Sequence, residues 1–234
     1  MPLFVLPYIQ FLLEEEIIIK TKFDIILFDL DGTLTDPKEG ITKSIQYSLK
    51  SFGIEEDRKN LVKFIGPPLH DTFKSEYGFD DEKVIKAVEK FREYFKEKGL
   101  YENKIYPGIE ALIRELHVND KKIVLATSKP TVFAEKILHN FSIYKYFDNI
   151  VGSNLDGTRS DKEEVIRFAI KDYLESDKTS IVMVGDRKYD IVGANNIGID
   201  SIGVLYGYGD LDEIEDSKPN YIAESVEKLA NILF

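Results

Sequence analysis

The chain has 234 residues, of which 43% are hydrophobic, so it can bury a core for one large domain or two smaller ones. The absence of cysteine excludes disulfides, thiolate metal sites and a thiol nucleophile, and because it fits a reducing compartment we expect a cytoplasmic protein. Its 31 basic and 42 acidic residues give a formal charge of -11, which disfavours binding of nucleic acid polymers.

The first 22 residues begin with the apolar run MPLFVLPYIQFLL, which is followed by three consecutive glutamates. This run is too short to span a bilayer, and Pro7 interrupts it. It also lacks the basic start and the small-residue cleavage site of a signal peptide. We therefore expect residues 1–22 to be an extension that packs on the domain or on a neighbouring chain, and we expect no membrane partner.

From residue 23 onward, short apolar runs alternate with amphipathic stretches. The apolar runs are typical of strands buried on both faces and occupy 23–28, 123–126, 181–184 and 201–204, with a weaker one at 149–151. Apolar residues share one helix face in 109–116, 132–141 and 165–173. The alternation predicts an α/β fold with a Rossmann-like, mostly parallel sheet and helices on both of its faces.

Between Asp36 and Tyr106 this alternation stops, and no convincing buried strand occurs. Two helical patterns replace it, one around Ile41–Phe52 and one around Val84–Phe95, with the turn sequence IGPP between them. We expect residues 36–106 to form a small α-helical cap domain inserted after the first strand. Residues 23–35 and 107–234 would then form the α/β core.

The carboxyl ends of the predicted strands carry polar side chains, and ligands of open α/β sheets bind at those ends. Seven candidate site residues lie there: Asp29, Asp31, Thr127, Ser128, Lys162, Asp186 and Asp190. Because parallel strands end at the same edge, the acidic residues and the lysine should converge. Carboxylates gathered in one place require a cation, and ligands that are all oxygen favour a hard ion such as Mg²⁺. Asp29 and Asp186 are its natural side-chain ligands.

A carboxylate can also act as a nucleophile in enzymes that form an aspartyl-phosphate. Asp29 would attack phosphorus, and Asp31 would protonate the leaving oxygen if the backbone turns at Gly32. Ionised Asp31 would then activate a water molecule. A hydrogen bond from Thr127 and the charge of Lys162 would hold the phosphoryl oxygens. Each residue type matches a need of phosphoryl transfer.

Four motifs follow one another in order: DLDGT from Asp29, LATSK around Thr127, Lys162, and GDRKYD ending at Asp190. With the helical insert, they make the chain resemble the haloacid dehalogenase-like hydrolase superfamily, in its phosphoglycolate phosphatase-like branch. The resemblance runs from about residue 23 to the end of the chain. Since the dehalogenases themselves replace the second aspartate of the first motif, Asp31 favours phosphate esters as substrates.

The resemblance implies that Asp29 is the nucleophile and that Asp31 is the general acid and base. It also implies a magnesium site made of Asp29, Asp186 and the backbone carbonyl of Asp31. Asp190 is either an occasional ligand or the residue that orients Lys162. The implied substrate-binding residues are Thr127, Ser128 and Lys162.

We therefore expect a magnesium-dependent phosphatase for a small phosphorylated metabolite, such as phosphoglycolate or a nucleoside 5'-monophosphate, in a monomer or homodimer. One alternative is a sugar phosphomutase, but the segment 40–49 lacks the cap histidine that such relatives carry. The other is a catalytically silent regulatory protein, which is disfavoured because no motif position is lost. The segment GYGDLDE at 207–213 is interpreted as only a turn.

Overall fold

The computed structural model describes residues 22–173 and 175–234, so the predicted extension lies outside the described residues except for Lys22. The strands are β1 (Ile25–Phe28), β2 (Thr35–Asp36), β3 (Lys104–Ile105), β4 (Lys122–Pro130), β5 (Asn149–Ser153), β6 (Ile181–Gly185), β7 (Asp200–Val204) and β8 (Tyr221–Ala223). Six of them form a parallel sheet in the order β5–β4–β1–β6–β7–β8, and β2 pairs antiparallel with β3. The predicted mostly parallel sheet is confirmed.

The helices are α1 (Lys38–Lys50), α2 (Leu69–Tyr77), α3 (Asp81–Tyr94), α4 (Ile109–Val118), α5 (Thr131–Asn140), α6 (Lys162–Ala169), α7 (Lys188–Ile197), α8 (Leu211–Asp216) and α9 (Val226–Leu233). Side chains of β1 alternate between two buried clusters, as the pleat of a strand requires. Ile26 and Phe28 pack in the cluster that contains α4, α5 and α9, whereas Ile25 and Leu27 pack with α6 and α7. Helices therefore cover both faces of the sheet, as predicted. None of the described helices is long and apolar enough to cross a membrane.

The structure contains elements that were not predicted, among them the short strands β2 and β3 and the helices α7, α8 and α9. The edge strand β8 was missed because its apolar run is only three residues long and two of the three are only partly buried. Helix α2 was missed as well, since its nine residues include only two that are buried. The helix predicted over 165–173 ends at Ala169, and a short 3₁₀ turn follows at Lys171–Tyr173.

The chain between β2 and β3 is helical and contains α1, α2 and α3. A 3₁₀ turn at Arg58–Phe64 lies between α1 and α2. A π-helical turn at Phe95–Gly99 follows α3. This helical insert contacts the core beyond the carboxyl ends of the strands. The ring of Phe95 packs edge-on against that of Phe133 in α5, with centroids 5.4 Å apart. Its division from the core as a separate cap domain over 36–106 stays a prediction.

Candidate active site

The turn after β1 presents two aspartates at the edge of the sheet. The Asp29 amide donates to the Val184 carbonyl at 2.9 Å, so this residue continues the ladder of the sheet, and only 8% of it is exposed. The chain then folds back at Gly32, whose φ is +88°. A Cβ atom at this position would lie 2.0 Å from Asp186 Oδ2. Only glycine therefore allows the loop to pass this close to Asp186.

Lys162, the first residue of α6, joins two of the carboxylates. Its Nζ lies 2.7 Å from Asp29 Oδ1 and 3.0 Å from the Ala126 carbonyl, and it donates to both. Asp190 Oδ1 lies at an ion-pair distance of 2.8 Å from the same nitrogen. Burial alone lowers the pKa of Lys162, but the charges of Asp190 and Asp29 outweigh it and raise that pKa. The ammonium group is therefore held in its charged form.

Asp29, Asp186 and Asp190 form a buried acidic triad in which one oxygen of each lies within 4.8 Å of the others. Burial, and then the charges of Asp29 and Asp190, raise the pKa of Asp186 well above its usual value. Burial likewise raises the pKa of Asp190 to about 6, although Lys162 opposes it. Three carboxylates with one lysine leave an excess of negative charge, and their oxygens are the ligands that a hard divalent cation prefers. The triad therefore fits Mg²⁺.

Asp31 is paired with a lysine to which the sequence analysis gave no role. Lys129 Nζ donates to Asp31 Oδ2, and it also lies 4.8 Å from the centroid of the Phe95 ring. Burial raises the pKa of Asp31, while the charge of Lys129 lowers it. The other carboxylate oxygen of Asp31 is buried and has no hydrogen-bond partner among the described residues. This oxygen is therefore free to exchange a proton with a ligand.

The loop after β7 also reaches the site. The Tyr208 amide donates to Asp186 Oδ2 at 2.8 Å, and the Tyr208 hydroxyl donates to Asp36 in β2. A Cβ atom on Gly207 would lie 2.3 Å from Asp186 Cβ. The interpretation of 207–213 as only a turn is therefore wrong, and from Leu211 onward this segment is helical. A backbone N–H donor leaves no mark in the sequence, which is why this contact was missed.

A cavity of about 690 Å³ separates these groups from the helical insert. Six of the seven candidate residues line it, namely Asp29, Asp31, Thr127, Ser128, Lys162 and Asp190. Asp186 has no exposed surface and lies behind them. Thr127 and Ser128 are brought to the cavity where the pairing register of β4 with β5 shifts, between Ala126 and Pro130. The insert lines the cavity with apolar side chains and with the loop 66–69.

Comparison with known proteins identifies what this chain resembles. A family profile described as haloacid dehalogenase-like hydrolase matches residues 26–204. The crystal structure of a candidate phosphatase from Clostridium difficile is 61% identical, with a TM-score of 0.84, and the match covers 92% of this chain and 100% of that one. A 5'-nucleotidase of Pseudomonas aeruginosa is 44% identical over 212 residues, which cover 89% of this chain and 94% of the nucleotidase.

Two further relatives carry other names. Phosphoglycolate phosphatase of Vibrio parahaemolyticus is 27% identical over 218 residues, covering 89% of this chain and 95% of the phosphatase. Tyrosine-protein kinase PtkA of Mycobacterium tuberculosis is 34% identical over 212 residues, covering 89% of this chain and 72% of the kinase. All of these relatives are named for chemistry at phosphate.

Proposed function

Because the chain belongs to the haloacid dehalogenase-like hydrolases and acts on phosphoric monoester bonds, we propose that it is a magnesium-dependent phosphatase for small phosphomonoesters that works through an aspartyl-phosphate. The observation that carries this proposal is the environment of the Asp29 carboxylate. It lines the cavity, belongs to the acidic triad and lies 2.7 Å from Lys162 Nζ. The proposed nucleophile Asp29, the cation of Lys162 and the carboxylates that could hold a metal thus lie together at the cavity.

In the first step, an oxygen of the Asp29 carboxylate forms a bond to phosphorus while the bond from phosphorus to the leaving oxygen breaks. Asp31 gives its proton to that oxygen, and the burial that raises its pKa favours the protonated form required at this point. Lys162 and the Thr127 hydroxyl bind the phosphoryl oxygens, so that charge developing there is met by donors already in place.

In the second step, a water molecule attacks phosphorus and the bond to Asp29 breaks, which releases inorganic phosphate. Asp31, now ionised, takes the proton of this water. The neighbouring Lys129 stabilises the carboxylate between the two steps, because its ammonium group pairs with Asp31 Oδ2. Asp31 thus acts first as the acid and then as the base, and the charge of Lys129 limits how far burial raises its pKa.

The acidic triad would hold the magnesium ion, together with the Asp31 carbonyl that the family resemblance implies. The bound ion would withdraw charge from the phosphoryl oxygens and reduce their repulsion by the carboxylates. Asp190 both belongs to the triad and lies 2.8 Å from Lys162 Nζ, so its two possible roles are compatible. Its second oxygen accepts the Arg187 amide at 3.2 Å, which fixes the start of α7.

Two substrate classes come from the names of the relatives, nucleoside 5'-monophosphates and phosphoglycolate. The cavity of about 690 Å³ has the size of a site for a drug-sized ligand. Phosphoglycolate has only two carbon atoms and would leave the apolar wall of this cavity without contacts. We therefore place nucleoside 5'-monophosphates first.

The test is a panel of phosphomonoesters with the native protein and Mg²⁺, in which release of inorganic phosphate is measured. It includes p-nitrophenyl phosphate, nucleoside 5'-monophosphates, phosphoglycolate and a phosphotyrosine peptide. We expect turnover of several small esters and none of the peptide, because the insert would have to close over the bound ester and a peptide would prevent this. Absence of release from every ester would refute the proposal, as would faster phosphoryl transfer to a sugar than to water.

The loop 66–69 should influence which ester is preferred. Gly66 has a φ of +106°, and a Cβ atom there would lie 2.9 Å from Nη1 of Arg187, which donates to the Ile65 carbonyl at 2.7 Å. Gly66→Ala should therefore displace this loop from the core and change the ratio of kcat/KM between a nucleotide and p-nitrophenyl phosphate.

Gly78→Ala is the matched control for this change. Gly78 lies in the same insert with a φ of +62°, but a Cβ atom added there would have no neighbour within 4 Å, and Gly78 does not line the cavity. Both variants should lose about 1 kcal/mol of stability through the strained backbone. Only Gly66→Ala should reorder the substrates, and an unchanged order would show that the loop does not select them.

A further inference from the structure

One face of α3, continued by Phe95 at the start of the π-helical turn, forms a wall of the cavity. Val88, Phe91, Arg92 and Phe95 follow the i, i+3, i+4, i+7 spacing of one helix stripe, and all four line the cavity. Three members are buried apolar side chains, as expected for a core-facing stripe. The fourth is a guanidinium, which is an unusual group to place among them.

Arg92 feels the charge of Glu89, three residues earlier on α3, but makes no hydrogen bond or ion pair with it. Arg92 is half-buried, and it makes no hydrogen bond or ion pair with any residue in 22–173 or 175–234. Burial lowers the pKa of Arg92, which shows that its charge is partly withdrawn from water. Arg187 at the same cavity is instead held by both carboxylate oxygens of Glu213. A partly desolvated guanidinium without a partner gains most from an acceptor that a ligand brings.

The position of the stripe relative to the reacting groups shows which part of a ligand Arg92 would meet. Lys129 Nζ binds Asp31 and lies over the ring of Phe95, so the stripe approaches the general acid at Phe95. The rings of Phe91 and Phe95 stack with centroids 5.4 Å apart. Arg92 precedes Phe95 by three residues, or about 4.5 Å along the helix axis. Because the general acid protonates the leaving oxygen, a stripe that reaches the site beside it lies on the leaving-group side, and we assign Arg92 to that part of the ligand.

We propose that Arg92 and this stripe form the subsite for the base of a nucleoside 5'-monophosphate, and that Arg92 selects bases with a carbonyl oxygen, and not an amino group, at position 6 of a purine or position 4 of a pyrimidine. The inference rests on the proposed function, because it concerns the leaving group of that reaction. A guanidinium has donors and no acceptor. It binds the carbonyl at position 6 of hypoxanthine or position 4 of uracil, whereas the amino group that adenine or cytosine carries at that position is itself a donor and cannot accept from the guanidinium. The apolar stripe contacts the rest of the base.

The test compares two pairs of substrates that differ at this position and in the proton on the neighbouring ring nitrogen: inosine with adenosine 5'-monophosphate, and uridine with cytidine 5'-monophosphate. Each ratio of kcat/KM is measured within one protein, so loss of folded protein cancels. In the native protein we expect the carbonyl member of each pair to be preferred roughly tenfold. Well-placed hydrogen bonds between an arginine and a base favour the matching base by about this factor. In Arg92→Gln both ratios should fall towards one, and Arg92→Lys should retain part of the preference.

Arg58→Gln is the control, because Arg58 belongs to the same insert, is exposed and does not line the cavity. This variant should keep the native ratios. Native ratios near one, or ratios that survive in Arg92→Gln, would overturn the inference. So would a loss in Arg92→Gln that is confined to phosphoglycolate, which would assign Arg92 to a carboxylate.

The same assay separates this inference from the proposed function. Turnover of p-nitrophenyl phosphate by the native protein with Mg²⁺, without turnover of any nucleotide, overturns the base subsite and leaves the phosphatase in place. No turnover of any ester overturns both.

Discussion

Replacing Asp29 by asparagine should abolish phosphate release while the fold stays intact. The side-chain amide cannot form the bond to phosphorus that the first step requires, so we expect a loss of kcat of roughly 10⁴-fold or more. The measurement is steady-state release of phosphate from the best ester of the panel, with circular dichroism and thermal unfolding to establish that the variant is folded.

The charges of the site explain why the fold should survive this change. In the variant, Lys162 Nζ keeps the ion pair with Asp190 at 2.8 Å and the hydrogen bond to the Ala126 carbonyl at 3.0 Å. The substitution also removes one of three buried carboxylates that repel one another. The free energy of unfolding of the metal-free variant should therefore equal or exceed that of the native protein.

Asp31→Asn is the matched comparison, since it leaves the nucleophile in place and removes the acid and base. With p-nitrophenyl phosphate the leaving group needs no proton, so the first step should still occur. The second step lacks the base that activates water, and we expect a burst of about one nitrophenol per enzyme followed by slow turnover. Near-native turnover by Asp29→Asn, or a burst from it, would show that another group attacks phosphorus.

The clustering of the candidate site residues could be predicted because of how a parallel sheet is built. Asp29, Thr127 and Asp186 each follow or end an apolar run, and parallel strands bring such ends to one edge. Their order along the chain and their residue types were enough to predict a cluster. Their roles in catalysis stay predictions until variants are assayed.

Contacts that depend on the path of the backbone could not be predicted in this way. The Tyr208 amide binds Asp186, and any residue type offers that donor. Lys129 was visible in the motif, but its pairing with Asp31 depends on the shifted register of β4. Arg92 falls within a predicted helix, where a polar residue gives no signal of its own. It is distinguished only by being half-buried without a hydrogen bond or ion pair in the described structure.

Binding of Mg²⁺ should stabilise the protein, and Asp186→Asn should remove that effect. Burial and the charges of Asp29 and Asp190 raise the pKa of Asp186, so its ionised form costs stability at neutral pH in the absence of a cation. A cation that binds the folded triad and not the unfolded chain stabilises the fold by about 2.7 kcal/mol at a hundredfold excess over Kd. Thermal unfolding after chelation, with and without Mg²⁺, measures this difference.

Asparagine should fit this position without disturbing the fold, because both neighbours of the Asp186 carboxylate can still be satisfied. Its carbonyl oxygen can accept the Tyr208 amide, which lies 2.8 Å from Oδ2, and its amide can donate to the Thr33 hydroxyl, which lies 3.3 Å from Oδ1. Without metal, this variant should therefore be more stable than the native protein, because a buried charge is gone. With Mg²⁺ the order should reverse.

Asp172→Asn is the control for Asp186→Asn, because it removes a carboxylate outside the site. Asp172 is exposed and lies beyond the end of α6, whose first residue is Lys162 in the site. This variant should gain as much stability from Mg²⁺ as the native protein does. If Asp186→Asn also gained as much, the ion would bind outside the triad. Because activity and stabilisation both depend on the same ion in this mechanism, the Kd obtained from the rise of stability with Mg²⁺ concentration should agree with the Mg²⁺ concentration that half-saturates activity in the native protein.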